Sequence, residues 1–306
     1  MILSCLKSGI RRMWENKRMV VTFYAVNLLI GLLVTLPFRN VLGSFVGHSL
    51  TGEKLAGRFD MDFLFDFLTN NKGAVDAITG LIFVAAALYG LAGLFLSGGA
   101  FTVIAGEGGY SASVFWGSAA RHFGRFFRLF LWSVPVFAIF YCVQFIETGI
   151  VRLVFGGDPY QNVLYWGGWV RLGLAYIGIL FYTMAFDYAR IYLVLHDERR
   201  TRFAMWQGTK FSFTHPFKTF GLALTVFVTG AIVLVIYNPI ADLLIAPHAL
   251  VVILLIIVQQ LYMVFRMGLK LTLYASQVDL YNRLKPMLSN FGTPDETPPA
   301  AEATLQ

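Results

Sequence analysis

The sequence predicts an all-α, polytopic membrane protein with six transmembrane helices. Three observations carry that reading. Only 13% of the residues are charged and 57% are hydrophobic, and the mean hydropathy is +0.66. Soluble domains carry about 25% charged residues, so most of this surface faces something other than water. Six long apolar stretches follow one another, and about 20 apolar residues cross a bilayer core. The Lys and Arg residues then fall unevenly on the segments between those stretches. The ten-residue alternating segments of an outer-membrane barrel are absent.

The elements follow in chain order. The basic N-terminal segment runs through Arg18 and reads as the approach to a retained span, not as a signal peptide. Spans are expected at Met19–Phe38, Ala77–Ile104, Phe126–Ile146, Leu172–Leu195, Phe217–Ile236 and Ala249–Tyr274. The second is expected to tilt or to end in a bend at Ser97-Gly98-Gly99. The first external loop, Arg39 to Asp76, is the longest. Phe59, Phe63 and Phe67 share one helix face there, which predicts an interfacial or lid helix. Asp60-x-Asp62 lacks the glycine turn and closing Glu of a calcium loop. Asn238-Pro239 predicts the turn into the last external loop. Residues 1–288 read as one domain, and 289–306 (NFGTPDETPPAAEATLQ from Asn290) as a disordered cytoplasmic tail.

Charge sets the expected orientation. Eighteen of the 24 Lys and Arg residues fall on the side that holds Lys7–Arg18, Arg121–Arg128, Arg190–Lys218 and Arg266–Lys285. The other six are Arg39, Lys54, Arg58, Lys72, Arg152 and Arg171. Positive charge collects on cytoplasmic loops, so both termini are expected in the cytoplasm of a bacterial inner membrane. The same rule accounts for the net charge of +7 without nucleic acid as a partner.

Three stretches resemble one another: "LKSGIRRMWENKRMVVTF", "VFWGSAARHFGRFFRLFL" and "MWQGTKFSFTHPFKTFGL". Each has a glycine (Gly9, Gly117, Gly208), a basic and aromatic segment, then an apolar span. Basic and aromatic residues at helical spacing predict an amphipathic helix lying in the membrane surface. Arg11, Arg12, Arg121, Arg125, Lys210 and Lys218 would meet anionic lipid headgroups there. The ends of spans two and four align Phe95 with Phe186 and Glu107 with Glu198; the same logic sets Phe265 on Phe186. The expected unit is a cytoplasmic interfacial helix and a helical hairpin, used three times (1–108, 109–199, 200–288). This layout, with Asp187-Tyr188-Ala189-Arg190, resembles a group of bacterial six-span membrane proteins that includes the membrane region attached to some glycerophosphodiester phosphodiesterases. The resemblance implies a fold and a membrane location and no activity.

One ion pair stands out as a candidate site. Asp187 lies about 12 Å inside the end of span four, where a carboxylate is costly and needs a partner. Arg190 at i+3 supplies one. The repeat alignment sets Asp187 opposite Arg266, which predicts a pair across the bundle. Arg266, Lys270 and Gln259 project in one direction from span six and form a candidate anion site. Asn27 is expected to make an interhelical hydrogen bond. Cys5 and Cys142 suggest no disulfide. His48, His122, His196, His215 and His248 are dispersed, and no metal, cofactor or catalytic constellation is read from the residues. The expected function is to bind, move or organise lipid-like or small amphipathic molecules, alone or as a transporter's membrane subunit. The alternative is a scaffold or assembly factor. A protein partner or a homo-oligomer fits either; an intramembrane enzyme on lipid headgroups ranks below both.

Overall fold

A computed structural model describes residues 1–47, 61–70, 72–106, 108–243 and 249–289. The described residues are helical almost throughout. The helices are α1 (Ile2–Glu15), α2 (Lys17–Val46), α3 (Met61–Asn70), α4 (Lys72–Ala105) and α5 (Ala112–Cys142). They continue as α6 (Phe145–Phe155), α7 (Gln161–Leu195), α8 (Thr201–Thr214), α9 (Pro216–Leu243) and α10 (Ala249–Ser289). Six stretches are long and apolar enough to cross a membrane: α2, α4, α5 with α6, α7, α9 and α10. The chain is a multi-pass membrane protein of helices.

Helix packing follows one pattern. Each consecutive pair of long helices is in contact: α2 with α4, α5 with α7, α9 with α10. The second members, α4, α7 and α10, also touch one another and form the centre. Each first member bridges two of these: α2 lies on α4 and α10, α5 on α7 and α4, α9 on α10 and α7. The largest interfaces join α1 to α10, the start of α5 to α4, and α8 to α7.

Glycine allows the closest of these approaches. A Cβ on Gly208 would stand 2.6 Å from the Ala185 carbonyl, and one on Gly9 would stand 2.8 Å from the Thr272 carbonyl. Gly117 meets open space instead. At that crossing the glycine is on the other helix: a Cβ on Gly99 would stand 2.6 Å from the Phe115 carbonyl. The Ser97-Gly98-Gly99 segment, where a tilt or bend is expected, lies inside α4. α4 runs through it unbroken, and the glycines serve helix contact.

The buried core lies at the end of the bundle where α1, α8 and the start of α5 pack. It includes Cys5, Met19, Phe101, Phe115, Phe126, Tyr188, Leu222, Leu271 and Leu284. Towards the other end the large apolar side chains face outward, such as Leu33, Phe83, Ile139 and Val235. That surface suits hydrocarbon, since a helix satisfies its own backbone there.

Several boundaries differ from expectation. α10 continues fifteen residues past Tyr274 to Ser289, and Val278, Leu280, Tyr281 and Leu284 are buried. Polar Ser276, Gln277 and Asp279 suggest an exit, but α1 covers this segment. Pro239 sits inside α9, near its end, and not in a turn. The chain breaks between the short and long helix at Asn16 and at His215, while α5 runs continuously from Ala112 to Cys142. Pro216 opens α9, where its missing N–H costs nothing. The expected helix in the first external loop is present as α3; its phenylalanine stripe, Asp60, Asp62, Glu107, His48, His248 and the tail from Asn290 lie outside the described residues and side chains.

Candidate functional site

Asp187 and Arg190 sit one turn apart on α7 and form a buried ion pair, 7% and 6% exposed. The second carboxylate oxygen of Asp187 accepts a hydrogen bond from Gln277 Nε2 of α10 at 3.1 Å. The Arg190 guanidinium lies over three rings: Phe186 at 4.6 Å, Phe101 of α4 at 5.3 Å and Tyr274 of α10 at 5.4 Å. The pair thus ties together the three central helices. Cation–π contacts gain strength when water is excluded, as here.

The expected Asp187–Arg266 pair is not formed. Arg266 is exposed on α10, and Gln277 takes the cross-bundle place. The reason is register. Gly9 packs against Thr272 and Ser276 just as Gly208 packs against Ala185 and Ala189. That match sets Tyr274 level with Asp187, about two helical turns beyond Arg266. The sequence alignment through Phe265 was shifted by that amount. Gln277 lies beyond Tyr274, the expected end of span six; its signal in the sequence is the small pair Ala275-Ser276, which continues the α1 contact.

The other candidates lie along α10 and the helices beside it. Lys270 is half-buried over Phe23 (5.7 Å) and Tyr89 (5.9 Å), and shares a narrow cleft with Asn27. Gln259 is exposed; its neighbour Gln260 accepts a hydrogen bond from the Tyr24 hydroxyl at 2.8 Å. Of the three residues expected to form an anion site, Arg266 and Gln259 are thus exposed and Lys270 is held between two rings.

Several basic residues hold the fold together. Arg12 donates to the Ile104 carbonyl at 2.6 Å and caps the end of α4, where the helix dipole favours a cation. Arg121 (3.0 Å) and Arg125 (2.5 Å) both grip Asp197, in the turn after α7. Asp197 has φ +46°. Its carboxyl is held below the ordinary aspartate range, chiefly by the Arg125 hydrogen bond, with the Arg125 and Arg121 charges adding. Glu198 is likewise lowered, by accepting the backbone N–H groups of Arg200 and Arg199 ahead of α8. Arg202 lies over Trp132 at 4.2 Å. Arg11 pairs with Glu15 at 2.9 Å on the exposed side of α1. Lys210 is exposed beside Trp206 and Phe213. Lys218 stands near His215, whose pKa is lowered by burial and by that charge.

A groove provides what the ion pair does not. It has a volume of about 730 Å³, has α10 as its floor and α2 and α9 as its walls, and α1 lies across one end. Val21, Val226, Leu261, Phe265 and Leu269 make it apolar; Trp14, Lys17 and Arg18 stand at the end beside α1. Its volume is within the range of small-molecule sites, about 300–1,000 Å³. The sequence marks some of its residues, such as Arg18 and Phe265, but not the groove itself, because four distant segments meet there.

Among the described residues no group of three His, Cys, Asp or Glu side chains is close enough to hold a metal ion. No protein-family model, curated protein or solved structure matches the chain.

Proposed function

We propose that this multi-pass membrane protein binds and organises a lipid-like or small amphipathic molecule, without chemistry of its own. The observation that carries this reading is the groove between α2, α9 and α10, apolar along its length and cationic at one end. The repeated packing of short helix on central helix supports three related units, each an interfacial helix and a hairpin. The excess of Lys and Arg at that end supports a cytoplasmic location for it and for both termini, in a bacterial inner membrane.

Native mass spectrometry of the full chain, purified in mild detergent from its own membranes, tests the reading. A defined amphipathic species held near one per chain through repeated detergent washes is expected. A bare protein overturns it in favour of a scaffold or assembly factor. That second reading is favoured by the enclosure of Asp187 and Arg190 among Phe101, Phe186 and Tyr274, since such a sealed pair fixes helix register and conducts nothing.

A further inference from the structure

We propose that the groove is a site for one anionic phospholipid, with an acyl chain along α10 and the phosphate on Lys17 and Arg18. This names the ligand class for the binding function proposed above and rests on it.

Depth and chemistry point to a lipid of one leaflet. Lining residues Leu261 to Thr272 cover about 17 Å of α10. That is roughly half of a bilayer core of about 30 Å, the share of one leaflet's chains. Val226, Thr229 and Leu261 belong to membrane-crossing stretches, so the long part of the groove is reached from hydrocarbon and not from water. A wholly apolar molecule would leave the α1 end unmatched, because that end is charged.

Lys17 and Arg18 are exposed, and neither side chain has an ion-pair partner among the described residues. Their neighbours differ in this: Arg11 is paired with Glu15, and Arg12 is used on the Ile104 carbonyl. The two free cations open α2, whose first turn has no side-chain cap; the Asn16 amide is turned back to the Arg12 carbonyl. A phosphate beside them would meet two cations and the positive end of a 30-residue helix. Trp14, 66% exposed, stands at the same level, where an indole bridges headgroup and chain. Gly268 of α10 lines the groove floor, and a Cβ there would stand 4.0 Å from Met13 Cε, so a large side chain at this position would crowd the groove beside α1.

The test uses the full chain in nanodiscs and two phospholipids with identical chains, phosphatidylglycerol and phosphatidylethanolamine, each with brominated acyl chains. Bromine quenches an indole that it touches. Phosphatidylglycerol is expected to quench Trp14, read as the difference from Trp14→Phe, at about tenfold lower mole fraction than phosphatidylethanolamine. Lys17→Gln with Arg18→Gln removes that preference. Gly268→Leu reduces quenching by both lipids while the helical signal and elution volume stay unchanged. Equal quenching by both lipids, unaltered in the Lys17/Arg18 variant, overturns the anionic site and leaves the broader binding function standing. Phosphatidylglycerol held in native mass spectrometry but failing to quench Trp14 in nanodiscs places the lipid elsewhere and overturns the groove. A chain that holds no lipid in native mass spectrometry overturns both.

Discussion

At the scale of the residue, Asp187 and Arg190 form a buried ion pair that joins three helices. Removing one partner of a buried pair strands a charge, at a cost of about 3–5 kcal/mol. Asp187→Ala and Arg190→Ala are therefore each expected to lower the thermal midpoint in detergent by that equivalent. Asp187→Leu combined with Arg190→Met should recover much of the loss; a double variant as unstable as the singles would show that the two residues are not one unit. Asp197 gives a pH dependence of the opposite exposure class. Its folded pKa lies below the unfolded value, near 4. The unfolded chain thus binds the proton more readily, and the contribution is complete above the unfolded pKa and lost as pH falls through the folded one. Wild-type protein should lose midpoint on acidification below about pH 4 more steeply than Asp197→Asn. Asp187 and Arg190 were legible in the sequence, being i,i+3 and too deep for punctuation. Gln277 was not, because its partner is 90 positions away.

At the scale of the element, the short helices are set by glycine contacts and not by charge alone. Gly208→Ala drives a methyl into the Ala185–Ala189 backbone, and overpacking of this kind costs about 1–3 kcal/mol. Gly117→Ala meets nothing within 4 Å and should be neutral or stabilising by up to about 1 kcal/mol, as alanine in a helix usually is. The two glycines look alike in the sequence, each preceding a basic aromatic run. Equal thermal shifts for the two substitutions would refute the distinction. The same pairing of small residue and carbonyl recurs at Gly98-Gly99, where Phe115 and Ala119 fill the space that the glycines leave.

At the scale of the whole molecule, three central helices are wrapped by three others, and the dense core lies at the basic end. Both termini of the described chain belong to elements at that end, α1 and the last turns of α10, which pack together. Reporter fusions after Leu288 and within Gly156-Gly157 should report opposite sides of the membrane, with the Leu288 fusion cytoplasmic. Signals on the same side would sink the six-span topology.

Length and polarity read from the sequence place six stretches able to cross a membrane, roughly where they lie, and which end is basic. These are local matters: the length and polarity of a stretch decide whether it partitions into hydrocarbon, and no neighbour is consulted. Tertiary structure alone decided the register between helices, hence Gln277 in place of Arg266, and the meeting of α1, α2, α9 and α10 around a groove. Within lipid one apolar face is as good as another, so hydrophobicity cannot choose among registers. The choice falls to close backbone contacts such as Gly9 on Thr272 and Gly208 on Ala185, and to one buried ion pair. Those involve residues far apart in the chain, whose spacing leaves no periodic trace.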